Sequence, residues 1–326
     1  MMVKKWIYSL LAVALMGCGS NAGTASASAS DSSADADAAE KNVAVPSFSA
    51  DSAYLYLKRQ MDFGPRVPNS EAHRRCADWL VAELQRHGAE VTEQKADLQA
   101  FDGTTLHARN IFGSFNPDMQ DRLLLLAHYD TRPWADEDPD PANHKKPVPG
   151  ANDGASGVAV LLEAARAFAA QNPGKGIDIL FVDAEDYGTE GDEESWALGA
   201  QYFANNPIKE GYRPAEAVLL DMVGGRNATF PAEYFSRQAA PVLDDRFRAA
   251  AARAGHAELF PQRMGGAITD DHVQLINQGI PAIDIIEYIP EQGFNPTWHT
   301  VDDDLPAISK ETLGAVGESL MHFIYE

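Results

Sequence analysis

The spacing of apolar residues changes repeatedly along the chain, and the order of the changes predicts the elements. Residues 49–61 and 70–87 repeat apolar positions at helical spacing, the second placing Ala72, Cys76, Trp79, Leu80 and Leu84 on one side. Phe63-Gly64-Pro65-Arg66-Val67-Pro68 between them is rich in turn formers. Residues 91–98 and 104–112 alternate with a period near two around Phe101-Asp102-Gly103, which predicts an antiparallel pair at a sheet edge. The run 123–127 is apolar throughout, as expected of a strand covered on both faces, and 177–182, 217–220 and 282–286 read as further central strands. Helical spacing returns near 155–171, 195–204, 238–254 and 270–278, and 309–324 reads as a last helix closing one face. This alternation predicts an α/β fold: a doubly wound, mostly parallel central sheet with antiparallel edge strands and helices on both faces.

Composition sets the boundaries. The chain has 326 residues with 45% hydrophobic content and no solenoid repeat, enough for one large core. That core is expected over 46–326 as a single catalytic domain. Residues 19–44 are mainly Ser, Ala, Asp and Gly with no aromatic residue, so they cannot bury enough surface to offset their ordering entropy. The segment 18–45 therefore reads as a polar tether. Lys4-Lys5 followed by the apolar run 6–16 has the form of a secretory signal and is too short for a stable bilayer span. Leu15-Met16-Gly17-Cys18 resembles the lipobox of bacterial lipoproteins. The resemblance implies removal of 1–17, lipidation of Cys18, and a lipid anchor in the bacterial cell envelope, facing the periplasm or the cell surface. Cys76, the other cysteine, is then expected as a core thiol. A net charge of −22 without a Lys/Arg stripe argues against a nucleic-acid partner, and acidic loops such as 136–140 are read as solubilising.

The candidate chemistry sits where the apolar runs stop. His128 follows the first buried strand, Asp153 precedes a helix, Glu185 and Asp186 follow the 177–182 strand, Asp221 follows Leu220, and His299 lies in the final loop. In an open α/β sheet these positions gather at the carboxyl ends of the strands. Two neutral imidazoles and several carboxylates suit zinc, which takes N and O ligands and keeps a coordination position open in catalytic sites. A lone strand-end aspartate is ordinarily a cap or turn former; the coincidence of several is what points to a metal. Ser156 lacks a Gly-x-Ser-x-Gly elbow, which argues against a serine hydrolase. Trp196 is expected to pack a helix, His272 to cap or orient Asp270, and His107, His144, His256 and His322 to serve at the surface or in packing.

Ala-His-Tyr-Asp-Thr at 127–131, Asn-Asp-Gly-Ala-Ser-Gly at 152–157, Asp-Ala-Glu-Asp at 183–186, Leu-Leu-Asp-Met-Val at 219–223, Asp-Asp-His at 270–272 and Trp-His-Thr at 298–300 occur in this order. The series resembles the zinc aminopeptidase clan that contains the M28 peptidases and the animal-type glutaminyl cyclases, from about residue 50 onward. In the two-zinc peptidases, the positions matching His128, Asp153, Asp186, Asp221 and His299 share two metals. In the cyclases, one zinc sits at the positions matching Asp153, Asp186 and His299. The position of Glu185 carries the general acid/base in both. The family usually has glutamate where this chain has Asp186, a side chain one methylene shorter.

Features of the last third resemble the cyclases. Asp270 matches an active-site aspartate, expected to hydrogen-bond Asp221, and Trp298, Phe294 and Ile268 match apolar pocket positions. The resemblance implies a glutaminyl-peptide cyclotransferase with one zinc per chain, acting on peptides or proteins with N-terminal Gln, with catalytic roles for Glu185, Asp221 and Asp270. The alternative is a di-zinc aminopeptidase using His128 and Asp221 at the second metal. A non-catalytic binding lipoprotein is a third reading, disfavoured by the intact Glu185 and ligand set.

Overall fold

The structure is a computed structural model that describes residues 44–326. The expected signal segment, Cys18 and all but the end of the expected tether lie outside the described residues. No described helix is long and apolar enough to cross a membrane.

Two helices, α1 (Ala50–Met61) and α2 (Glu71–Arg86), begin at the caps Ser49 and Ser70, whose side chains accept from the backbone N–H of Ser52 and His73. Strands β1 (Glu90–Gln99) and β2 (Thr105–Phe115) pair antiparallel. The alternation of β3 (Arg122–His128), α3 (Ala155–Ala170), β4 (Gly176–Val182), α4 (Leu198–Asn205) and β5 (Glu216–Asp221) follows. Then come α5 (Tyr234–Ala239), α6 (Pro241–Arg253), α7 (Asp271–Asn277) and β6 (Ala282–Ile286), the short hairpin β7 (Tyr288–Ile289) and β8 (Gly293–Phe294), and α8 (Lys310–Tyr325).

The main sheet has the order β1-β2-β4-β3-β5-β6. Strands β3, β4, β5 and β6 run parallel, while β2 pairs antiparallel with both β1 and β4. Side chains alternate between two cores because successive residues of a strand face opposite sides. Leu123, Leu125 and Ala127 join the larger core with α1, α2, α3, α6 and α8, whereas Leu124 and Leu126 pack with Ala200, Phe203 and Leu275 of α4 and α7. Burial on both faces is why β3 is apolar from Leu123 to Ala127, while β4 and β6 each bury one aspartate, Asp178 and Asp284. Cys76 is fully buried in the larger core, and burial pushes its thiol up to about 12.

Three local details differ from the sequence expectation. The helix expected near 238–254 is two helices, because Pro241 has no N–H to continue α5 and Ala240 leaves the helical region at φ −138° and ψ 52°. The helix expected from 195 begins at Leu198, after a 3-10 turn at Glu193–Ser195 and a left-handed Ala197. Strands β7 and β8, two residues each, are too short to leave a periodic signal.

Candidate active site and metal centre

The chain passes from β3 outward to β4, then returns across β3 to β5 and on to β6, so the strand order reverses between β3 and β5. Ligand sites of open α/β sheets form at such a reversal, beyond the carboxyl ends. His128 closes β3 and Asp221 closes β5, and His128 Nε2 lies 3.2 Å from Asp221 Oδ1. The same nitrogen is 2.9 Å from Asp153 Oδ1. This approach needs glycines on the segment that carries Asp153. A Cβ on Gly154 would fall 2.4 Å from the His128 carbonyl oxygen, and one on Gly157 would fall 2.0 Å from that of Leu220.

Asp186, on the loop after β4, places Oδ1 3.0 Å from His299 Nε2, and Asp153 Oδ2 lies 3.6 Å from that nitrogen. The result is two donor sets, His128–Asp153–Asp221 and Asp153–Asp186–His299, each with its donor atoms within 4.8 Å of one another. Asp153 belongs to both. All five residues are buried, and Asp186 Oδ2 has no hydrogen-bond partner. A buried orphan oxygen beside an imidazole and a second carboxylate fits a divalent cation, and this N/O set fits zinc. Burial lowers His299 to about 4, which leaves its imidazole neutral and able to ligate at neutral pH. Burial pushes Asp186 up to about 7 against the opposing charges of Arg132 and His128. Ala184, Met222 and His299 all adopt left-handed backbone, so the turns that deliver these groups are conformationally unfavourable.

The Asp153–Asp186–His299 set opens on a cavity of about 580 Å³, also lined by Glu185, Asp221, Asp270, Ile268, Tyr288, Phe294, Trp298 and Trp196. His128 is not among the lining residues; it sits behind Asp153 and Asp221, 1% exposed. Trp298 stacks on the His299 ring at 3.7 Å between centroids, and Phe294 continues the wall 4.5 Å from Trp298. Glu185 points its carboxylate at this space, its nearest cationic partner being His128 Nδ1 at 3.9 Å. Burial raises its carboxyl well above the usual range; His128 opposes this, while the charges of Asp186, Asp270 and Asp271 add to it. The backbone around it is fixed. Asp130 accepts from the N–H groups of Glu185 and Asp186 at 3.1 and 3.2 Å, and Arg132 donates to the carbonyls of Asp186 and Gly188.

Residues 110–324 match the sequence profile of peptidase family M28. The chain belongs to this family. Among solved structures, it is similar to Bacteroides thetaiotaomicron glutaminyl cyclase bound to N-acetylhistamine: 51% identity, TM-score 0.85, covering 87% of this chain and 99% of that one. It is also similar to a Zn-dependent exopeptidase from Parabacteroides distasonis, at 50% identity and TM-score 0.85, over 87% of this chain and all of the other. The glutaminyl-peptide cyclotransferase of Bos taurus is 26% identical over 293 residues, covering 80% of this chain and 78% of the bovine protein.

Within this M28 fold, the residues expected as ligands, as proton-transfer groups and as pocket wall converge on one cavity rim, with His128 just behind it. Three expectations are corrected. Trp196 lines the cavity instead of packing a helix: its ring lies nearly parallel to that of His299 at 6.1 Å and carries the Arg132 guanidinium at 4.8 Å. Asp221 and Asp270 share no hydrogen bond among the described residues. Asp221 contacts His128, and Asp270 caps α7, its carboxyl raised to about 6 by burial and by the Asp221 charge. His272 lies 3.0 Å from Glu233 Oε2, so it pairs with that carboxylate rather than capping Asp270. Sequence reasoning missed Asp130, Arg132 and Tyr288. Asp130 stands within the Ala-His-Tyr-Asp-Thr motif and Arg132 directly after it, and their proximity to His128 was the available signal.

Proposed function

We propose that this protein is a glutaminyl-peptide cyclotransferase that converts N-terminal glutamine of peptides or proteins to pyroglutamate, with residues 46–326 as its catalytic domain. The observation that carries this is the likeness, at 51% identity over nearly the whole of the other chain, to a solved glutaminyl cyclase. The site geometry supports it. Asp153, Asp186 and His299 would hold one zinc at the cavity wall, and the bound metal would supply stabilisation of negative charge on the side-chain carbonyl oxygen of the substrate.

In the reaction, the α-amine attacks the side-chain amide carbon, a C–N bond closes the five-membered lactam, and the bond to the amide nitrogen breaks to release ammonia. No water is consumed. Glu185 would take the proton from the α-amine and deliver it to the leaving nitrogen, a dual role that needs a carboxyl whose affinity for a proton is raised. Its burial beside Asp186, Asp270 and Asp271 supplies that. Asp221 and Asp270 would keep this acidic surround. Trp298, Phe294 and Ile268 would wall the glutamine side chain and hold it near the attacking nitrogen.

The second reading is an M28 di-zinc aminopeptidase, favoured by the sharing of Asp153 between two complete donor sets. Mass spectrometry of a Gln-peptide incubated with the enzyme separates the two. A cyclase yields an uncut peptide lighter by one ammonia; free glutamine without cyclised peptide would overturn the assignment.

For location, we propose a lipid anchor at Cys18 in the bacterial envelope. Cys18→Ser is expected to move the protein from the membrane fraction to the soluble fraction, and an unchanged distribution with an unchanged mature N-terminus would refute the lipobox reading.

A further inference from the structure

Three successive backbone N–H groups, those of Ala151, Asn152 and Asp153, end on one residue. Ala151 donates to the Asp303 carbonyl at 3.0 Å, Asn152 to Asp303 Oδ1 at 2.8 Å and Asp153 to Asp303 Oδ2 at 3.1 Å. Asp303 is fully buried and belongs to the turn that follows His299, where its own N–H reaches the Thr300 carbonyl. Both carboxylate oxygens are thus spent on the backbone of the segment that presents Asp153. The other side of the segment is gripped by a cation: Arg66, also fully buried, donates to the carbonyls of Pro149 and Gly150 at 2.6 Å each and to that of Tyr129 at 3.3 Å. Asn152 extends the frame, because its Oδ1 accepts from Gly224 N–H at 2.8 Å, three residues past Asp221.

A single acceptor would tie this loop at one point. A carboxyl group offers two acceptor oxygens on one short side chain, and here each takes a different N–H of the segment that carries Asp153, which fixes its direction as well as its place.

We propose that Asp303 is a positioning residue for the metal site: it sets the aim of Asp153 and couples it to the turn carrying His299, so that one side chain controls two ligands. This rests on the reading of Asp153, Asp186 and His299 as the zinc set. Partners that orient metal ligands typically contribute about 10- to 100-fold to metal affinity.

The test compares zinc affinity of wild type and Asp303→Asn by competition with a chromogenic chelator, alongside the melting temperature of each metal-free protein. Asparagine accepts one of the two side-chain bonds and turns a donor toward the other N–H. The expected result is zinc bound about 10- to 100-fold more weakly, with activity that climbs toward the wild-type level as zinc is added. His299→Ala should show no such recovery. If Asp303→Asn does not fold, Asp303→Glu keeps the carboxyl group but displaces both oxygens, and the same weakening is expected. Wild-type zinc affinity in a folded variant, with only the metal-free melting temperature lowered, would mean a role in the fold alone and would overturn the inference. A wild type that holds no zinc would instead overturn the ligand set, and this inference with it.

Discussion

Glu185→Gln is expected to lower turnover on a Gln-peptide by about 10²-fold or more, the scale of a positioned acid/base, while zinc stays bound. Glutamine keeps the shape of the side chain and removes its ability to accept a proton. The surroundings make the change selective. Glu185 is held through its backbone N–H by Asp130, not through its carboxylate, so the substitution leaves the loop anchored. Its carboxylate faces His128 only at 3.9 Å, and no close ion pair is lost. Asp186→Ala, one residue along, should act differently: it removes a donor 3.0 Å from His299 Nε2 and should lower metal affinity itself. Steady-state kinetics with metal analysis of both variants checks the pair. Near-normal cyclisation by Glu185→Gln would remove this residue from the mechanism.

His299→Ala is expected to abolish both zinc retention and activity, because it removes the imidazole of the cavity-facing set. His128→Ala reports on something else. Its ring lies behind the cavity between Asp153 and Asp221, and contacts with Asp130, Asp153 and Asp221 hold its pKa well above the ordinary value despite burial. A charged imidazole there would serve as the counter-ion of the carboxylates instead of a ligand, which is the one-zinc arrangement. Removing it should then weaken the site moderately, whereas in a two-zinc peptidase it deletes a ligand. Metal stoichiometry and activity of the two variants decide this: equal, complete loss of metal in both, with the fold retained, would count against one zinc.

Much of this site could be read before any coordinates. The strand ends gave away His128 and Asp221 because an all-apolar run must stop where the sheet stops, and the first polar residue after it stands at the rim. Trp298 and Phe294 were legible through the resemblance to the cyclases. Trp196 was not. Its neighbours read as the start of a helix, and its direction depends on left-handed Ala197 and on a stacking partner, His299, from the far end of the chain. The expected Asp221–Asp270 pairing differs for a related reason: Asp221 contacts His128 and Asp270 accepts from the first N–H of α7.

By itself the sequence determined the element order, the two-sided burial of the central strands and the residues that reach their carboxyl ends. These follow from periods of two and 3.6, which act over a few residues and are written locally. Tertiary structure alone decided which of the gathered groups face the cavity, which stand behind it and which hold the others. Asp303 reaches Asn152 across 151 residues of chain, and Asp183, between β4 and Glu185, pairs with His73 of α2 across 110. Such contacts depend on strand order and on which loops cross the β3–β5 reversal. Local hydrophobic spacing carries neither, because many strand orders would bury the same apolar faces equally well.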